Sequence, residues 1–204
     1  MRLQGKNAVI TGGANGIGHA IALAYAKEGA RVTVLDRDAK GQKTAEAIQK
    51  LGGEAAFVQV DVADRETLTA AIQNAGPVDI LVTSAAILEK CSILDSTMED
   101  FDRTMETNIH GVMNAVQAVI PGMKAQNSGK IIILSSMASF LGRADQTAYA
   151  AAAGTLTGFT RNAAVRLGEF GIHVNSIAPG IIDTDFPESL KDEPEYREFR
   201  IHYT

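Results

Sequence analysis

The sequence contains little cysteine, no long hydrophobic run and no excess of positive charge. Its single cysteine, Cys91, cannot form an intramolecular disulfide, and this favours a reducing compartment. Gly, Pro or a charged residue interrupts each apolar stretch before the roughly 18 residues that a membrane-spanning helix needs. Residues 1–6 also lack the layout of a signal peptide. We therefore expect a cytoplasmic protein without a membrane anchor.

The balance of charge argues against polyanionic partners. Lys and Arg total 19 against 24 Asp and Glu, for a net charge of −5 among 204 residues. A chain of this charge has no long-range attraction to nucleic acid or to an anionic membrane surface. Its four histidines show no metal-ligand spacing, so we also predict no catalytic metal.

Short β-branched runs alternate with amphipathic stretches, which is the pattern of βαβ units and a parallel sheet. The six predicted strands are Asn7–Ile10, Arg31–Asp36, Ala55–Val60, Ile80–Thr83, Lys130–Ser135 and His173–Ile177. The five predicted helices are Gly16–Glu28, Ala39–Leu51, Arg65–Asn74, Met98–Ala125 and Thr147–Gly168. The pattern predicts one doubly wound α/β domain of the Rossmann type over residues 1–204, with a charged, proline-containing loop region at 185–204.

A glycine-rich segment follows the first predicted strand and opens the first predicted helix. Gly12, Gly16 and Gly18 form a G-x-x-x-G-x-G pattern. Glycine lets the backbone turn sharply and approach a pyrophosphate, while the amides at a helix start attract anions. We predict that Gly12, Asn15, Gly16, Ile17 and Gly18 bind a dinucleotide; a glycine-rich turn without a ligand is the alternative.

Asp36 ends the second predicted strand, about 20 residues beyond the glycine segment. A carboxylate at this position accepts hydrogen bonds from the adenosine ribose and repels a 2′-phosphate. This favours NAD over NADP, although the adjacent Arg37 could pair with a phosphate. A solvated acid at the strand end is the alternative for Asp36.

Further motifs occur after the later strands, in an order that is familiar from one family. They are Asp61-Val62, Asn108 within Thr107–Gly111, Ser136, Tyr149 and the P-G-x-x-x-T run Pro179–Thr184. With the T-G-x-x-x-G-x-G loop, they resemble the short-chain dehydrogenase/reductase family over nearly the whole chain. In that family Asp61 and Val62 would meet the adenine ring, and Pro179, Gly180, Ile182 and Thr184 would lie along the nicotinamide.

The resemblance implies hydride transfer between a nicotinamide cofactor and a secondary alcohol or ketone. Tyr149 would move the proton at the substrate oxygen, Ser136 would hold that oxygen, and Asn108 would support a water-mediated proton route. Each residue has a simpler alternative: Ser136 could cap the loop, Asn108 could pin a helix kink, and Tyr149 could place its hydroxyl in water.

Two departures from the family pattern affect this site. The family has lysine four residues after the tyrosine, whereas this chain has Ala153. A lysine there would share a helix face with Tyr149 and favour its ionised form. The family also has Asn-Asn-Ala-Gly where this chain has Thr83-Ser84-Ala85-Ala86; Ala85 would still contact the cofactor, and the Ala86 methyl could crowd it or shift the loop.

The resemblance also concerns the end of the chain, its assembly and its substrate. Family members continue with another helix and a seventh strand, so we expect a bare sheet edge and lower stability than a longer relative. We expect a homodimer or tetramer, with some of Val112, Val116, Val119, Leu156 and Phe159 facing a partner if they are not core residues. The substrate pocket is predicted from Glu89–Ile93, Phe140–Gln146 and Phe186–Tyr203.

Three hypotheses remain open from the sequence. The chain is an NAD-dependent oxidoreductase weakened by Ala153, a catalytically silent nucleotide-binding or interaction protein, or an engineered fragment. The sequence does not select a particular alcohol or ketone.

Overall fold

The computed structural model describes residues 1–184, and the predicted loop region at 185–204 lies outside the described residues. Six strands form one parallel sheet in the order β3-β2-β1-β4-β5-β6. Their bounds are β1 Asn7–Thr11, β2 Arg31–Asp36, β3 Ala55–Gln59, β4 Ile80–Thr83, β5 Gly129–Leu134 and β6 Ile172–Ile177. The order reverses between β1 and β4, which confirms the predicted doubly wound sheet.

Helices cover both faces of the sheet. They are α1 Gly16–Lys27, α2 Gly41–Lys50, α3 Arg65–Asn74, α4 Met98–Met105, α5 Gly111–Gln126 and α6 Thr147–Gly168. Neighbouring side chains of a strand point to opposite faces, so Ala8 and Ile10 of β1 pack with Ala22 of α1 and Ile48 of α2. Val9 joins the second core, with side chains of α3, α5 and α6. Among residues 1–184, no helix combines the length and apolarity needed to cross a membrane.

The predicted helix Met98–Ala125 is interrupted. Residues Glu106–His110 form a π-helical turn between α4 and α5. Asn108 in this turn is buried, and its side-chain amide pairs with both backbone polar groups of Ile87. A tertiary contact therefore accompanies the widened turn, and π-turns inside helices are frequent at functional sites.

Most of the apolar residues offered as possible partner contacts belong to the core. Val112, Val116, Val119 and Leu156 are at most 5% exposed, and Phe159 packs against the same core cluster. The prediction that some of them face a partner is wrong for the four buried residues, because the core already covers them, and it stays a prediction for the half-buried Phe159.

Candidate active site

A cavity of about 370 Å³ lies at the carboxyl ends of the strands, where the order of the sheet reverses. Nearly all the predicted site residues line it: Gly12, Asn15, Gly16, Ile17, Asp36, Asp61, Val62, Ala85, Asn108, Ser136, Tyr149, Pro179, Gly180, Ile182 and Thr184. We call the part lined by Gly12–Ile17, Asp36, Arg37 and Val60–Val62 the glycine end. The part lined by Ser136–Ala138, Leu141, Arg143, Gln146 and Tyr149 is the tyrosine end.

Gly18 is the predicted residue that lies outside this lining. A Cβ at Gly18 would lie 2.2 Å from the Gly12 carbonyl oxygen, so Gly18 allows the loop to pack on itself. Gly12 has φ +69°, and a Cβ there would lie 2.4 Å from the Ala85 nitrogen. Two of the glycines thus have structural roles that do not require a ligand: Gly18 lets the loop after β1 pack on itself, and Gly12 lets it pack against the loop after β4.

The start of α1 fits an anion. Asn15 is its N-cap residue but makes no side-chain capping bond, and Gly16 and Ile17 line the cavity beside it. The first amides of a helix have no partner within the helix and lie at its positive end. A pyrophosphate at this point would accept hydrogen bonds from these amides.

Asp36 is fixed by two backbone amides. Its Oδ2 accepts from the Ala14 amide and its Oδ1 from the Asp38 amide, each at 2.9 Å. The carboxylate therefore joins the end of β2 to the glycine loop while it lines the cavity. The predicted alternative of a freely solvated acid does not describe this geometry.

Three buried polar residues that sequence analysis missed position the glycine end. Thr44 Oγ1 donates to the Gly13 carbonyl at 2.9 Å, and Asn114 Nδ2 donates to the Val62 carbonyl at 3.1 Å. Thr11 Oγ1 accepts from the Ser84 and Ala85 amides at 3.3 and 3.4 Å. Each is a polar side chain within an otherwise apolar face, which is the one signal that could have identified them.

Ser136 and Tyr149 both line the tyrosine end of the cavity. Ser136 Oγ accepts from the Ala138 amide at 3.2 Å and begins a short 3-10 turn over Met137–Ser139. This confirms the capping alternative for Ser136, but the contact uses the oxygen as an acceptor and leaves the hydroxyl proton as a donor. Tyr149 lies in the first turn of α6, is half-buried and lines the cavity.

Asn108 also has a structural role. Its Oδ1 accepts from the Ile87 amide at 2.8 Å, and its Nδ2 donates to the Ile87 carbonyl at 2.9 Å. The side-chain amide thus mimics a backbone partner for the loop after β4. This holds Ile87 and Leu88 in the cavity wall.

Both departures from the family pattern face the cavity. Ala153 is 4% exposed and lines it together with Tyr149, one helical turn away. Ala86 lines it as well, and Asn127 is the one non-glycine residue with positive φ among residues 1–184. Ala86 therefore adopts an ordinary backbone conformation, so the loop does not require glycine at this position.

The predicted substrate segments contribute unequally. Leu141, Arg143 and Gln146 of Phe140–Gln146 line the cavity, whereas the lining on the other loop stops at Leu88, before Glu89–Ile93. Cys91, within Glu89–Ile93, instead makes backbone hydrogen bonds at the end of the Phe140–Gln146 segment. Its amide donates to the Asp145 carbonyl, and its carbonyl accepts from the Thr147 amide. The third segment, Phe186–Tyr203, lies outside the described residues. Within residues 1–184, no three His, Cys, Asp or Glu side chains cluster as metal ligands would.

Comparison with known proteins gives a consistent result. The model of the short chain dehydrogenase family matches residues 6–195. An uncharacterized oxidoreductase of Thermotoga maritima is 37% identical over 188 residues, which cover 91% of this chain and 75% of the relative.

Two solved structures resemble the fold over most of its length. The complex of 7α-hydroxysteroid dehydrogenase with NADH and 7-oxo glycochenodeoxycholic acid is 37% identical, with a TM-score of 0.90 and coverage of 95% of this chain and 77% of that one. A Beutenbergia cavernae structure with NADP at low occupancy is 31% identical, with a TM-score of 0.93 and coverage of 98% and 82%.

Proposed function

Because the chain belongs to the short-chain dehydrogenase family, an assignment that makes it an oxidoreductase, we propose that it interconverts a secondary alcohol and a ketone with NAD. The observation that carries the proposal is that Ser136 and Tyr149 line the same cavity as the glycine loop and Asp36. Hydride and proton transfer at one carbinol group require a cofactor site and a proton donor to share a cavity.

The glycine end fits a dinucleotide on its own geometry. Gly12, Gly16 and the uncapped start of α1 would bind the pyrophosphate, and Asp61 and Val62 would contact the adenine ring. A nicotinamide cofactor, when bound, supplies or accepts the hydride. Solved relatives hold NADH or NADP, and we favour NAD here because the Asp36 carboxylate would repel a 2′-phosphate.

Within this proposal, each residue at the tyrosine end has one task. The Tyr149 hydroxyl gives a proton to the ketone oxygen, or takes one from the alcohol. The Ser136 hydroxyl donates a hydrogen bond to the same oxygen and so orients the reacting carbon. Asn108 holds the cavity wall at Ile87 through two hydrogen bonds. It would also support a water-mediated route for the proton.

Ala153 lowers the expected rate. A phenol with a pKa of about 10 is roughly 0.1% ionised at neutral pH, and a cation that lowered the pKa by three units would contribute about 4 kcal/mol. In alcohol oxidation the ionised form takes the proton, so the absence of that cation costs up to roughly a thousandfold in kcat at neutral pH. We therefore propose a slow oxidoreductase, with a silent binding protein as the alternative that the following test separates.

The test is to restore the cation. We expect Ala153→Lys to raise kcat for alcohol oxidation with NAD at neutral pH by up to about a thousandfold, and to lower the pKa of one tyrosine in a spectrophotometric titration. Ala151→Lys adds the same charge on an exposed part of α6 and should change neither quantity. In the Ala153→Lys, Tyr149→Phe double variant, both effects should disappear.

The outcome that contradicts the proposal is specific. If Ala153→Lys binds NAD but oxidises no alcohol in a panel of aliphatic, cyclic and aromatic secondary alcohols, the site does not perform this reaction. The silent binding protein would then be the better description.

We propose a homo-oligomer in the cytoplasm, without nucleic acid or membrane partners. Val165 on α6 is 85% exposed and Met113 on α5 is 36% exposed, so both helices present apolar side chains that a second copy could cover. The single cysteine and the net negative charge support the location and the absence of polyanionic partners.

A further inference from the structure

One charged side chain lines the tyrosine end of the cavity within residues 1–184, and it is a cation. The other charged residues of the lining, Asp36, Arg37 and Asp61, belong to the glycine end. Arg143 lies between the turn that follows Ser136 and the helix that carries Tyr149. Arg143 lines the same cavity as Ser136 and Tyr149, whose hydroxyls a substrate would meet.

Both ends of the segment that carries Arg143 are anchored. At one end, Ser139 Oγ donates to the Ser136 carbonyl at 2.7 Å. At the other end, the Cys91 amide donates to the Asp145 carbonyl at 2.9 Å. A short segment held at both ends restricts where the Arg143 guanidinium can lie, which lowers the entropic cost of using it to bind a ligand.

Asp145 orients the guanidinium. Arg143 Nε lies 3.4 Å from Asp145 Oδ1, and the Arg143 side chain is 17% exposed against 35% for Asp145. The arginine is thus the more enclosed member of the pair. A guanidinium carries five N–H donors in a planar fork that matches the two oxygens of a carboxylate or phosphate.

Apolar side chains line the cavity together with Arg143, among them Leu88, Met137 and Leu141. Low local polarity strengthens the attraction between a guanidinium and an anion, and apolar walls favour a hydrocarbon body over a polyol. The combination is suited to an oxyanion attached to an apolar chain.

We propose that Arg143 binds an oxyanion of the substrate, so that the alcohol or ketone carries a carboxylate or phosphate on an apolar body. The term substrate rests on the proposed function, whereas the anion site itself does not. The proposal makes Arg143 a residue that determines specificity, separate from the proton transfer by Tyr149.

Calorimetric titration with hexanoate, hexyl phosphate and hexanamide tests the site without any turnover. We expect at least one of the two anions to bind at least tenfold more tightly than hexanamide, in line with charge-assisted hydrogen bonding. Whichever anion binds more tightly identifies the oxyanion. The preference should fall to near unity in Arg143→Gln and persist in Arg2→Gln, which removes an equal charge from an 84% exposed side chain near the amino terminus. Asp145→Asn should increase the preference, because it removes a negative charge beside the anion.

Two results would overturn the proposal. One is equal affinity for hexanoate, hexyl phosphate and hexanamide; the other is a preference that survives in Arg143→Gln. Each titration is run with and without NADH, so an Arg143-dependent anion preference in a chain that does not bind NADH would contradict the proposed function and leave the anion site intact. The thermal unfolding of Arg143→Gln shows that the variant is folded.

A kinetic comparison separates substrate binding from an effect on Tyr149. With 6-oxoheptanoate and its methyl ester, Arg143→Gln should raise KM for the acid by tenfold or more and leave KM and kcat for the ester unchanged. An equal loss of kcat for both compounds, with a shifted pH profile, would mean that Arg143 acts on the phenol and would overturn the anion site.

Discussion

At the glycine end of the cavity, the site is made chiefly of backbone atoms held in place by buried side chains. Thr44, Asn114 and Asp36 each bind a backbone group of the loops that would surround a dinucleotide. At the tyrosine end, the chemistry depends on a few side chains, among them Arg143. Ala153 lines the cavity one helical turn from Tyr149.

This difference explains why a substitution has unlike consequences at the two ends. A change at the glycine end disturbs packing and stability, because the same atoms hold the fold and form the site. A change such as lysine to Ala153 alters charge within a cavity and leaves the backbone as it was. Recognition of the fold is therefore better evidence for cofactor binding than for the rate of a reaction.

Among the variants that test this difference, Gly12→Ala should cause the largest loss of stability. The new Cβ would meet the Ala85 nitrogen at 2.4 Å, and residue 12 has a positive φ. The backbone strain and the overlap together should lower the free energy of unfolding by about 3 kcal/mol, or Tm by roughly 6–12 °C. Thermal unfolding measures this directly.

Gly5→Ala is the matched control. Gly5 also has positive φ, at +73°, but a Cβ there would meet no atom within 4 Å. Its cost should be the backbone strain alone, about 1 kcal/mol. Equal losses of stability in the two variants would mean that the contact between the loops after β1 and β4 is not tight.

A second pair of variants compares two buried asparagines, Asn108 and Asn114. Asn108→Ala removes two hydrogen bonds to Ile87 and should cost about 2–3 kcal/mol, because both backbone groups of Ile87 lose their partner. Asn114→Ala removes one bond to Val62 and should cost about 1 kcal/mol. We expect Asn114→Ala to weaken NADH binding more than Asn108→Ala does, as measured by titration. If Asn108→Ala weakened NADH binding more than Asn114→Ala, the glycine end would not be the main part of the cofactor site.

The sheet was predictable because its strands are short apolar runs, which can be recognised from neighbouring residues in the sequence alone. The predicted bounds of β2 and β4 agree with the structure, as do those of α3 and α6. The start of α2 was not predictable: Asp38 Oδ1 accepts from the Lys40 amide in a turn, and the helix begins at Gly41 instead of Ala39. Such a turn competes locally with a helix.

The details of the site depended on tertiary contacts. The π-helical turn at Glu106–His110 accompanies a contact between Asn108 and Ile87, which are 21 residues apart. Arg143 is part of the cavity because of the fold of its loop, for which no periodic pattern exists. The packing role of Gly18 was not predictable for a similar reason, since it depends on how closely the Gly12 carbonyl approaches: a Cβ at Gly18 would meet that oxygen.

The most direct test of the account is calorimetric titration of the 204-residue chain with NADH and with NADPH. We predict saturable binding of NADH at one site per chain and binding of NADPH that is at least about tenfold weaker, a difference of about 1.4 kcal/mol that the Asp36 carboxylate would produce. A folded chain that binds neither nucleotide, or that binds NADPH more tightly, would contradict the claim that the glycine end is built for NAD.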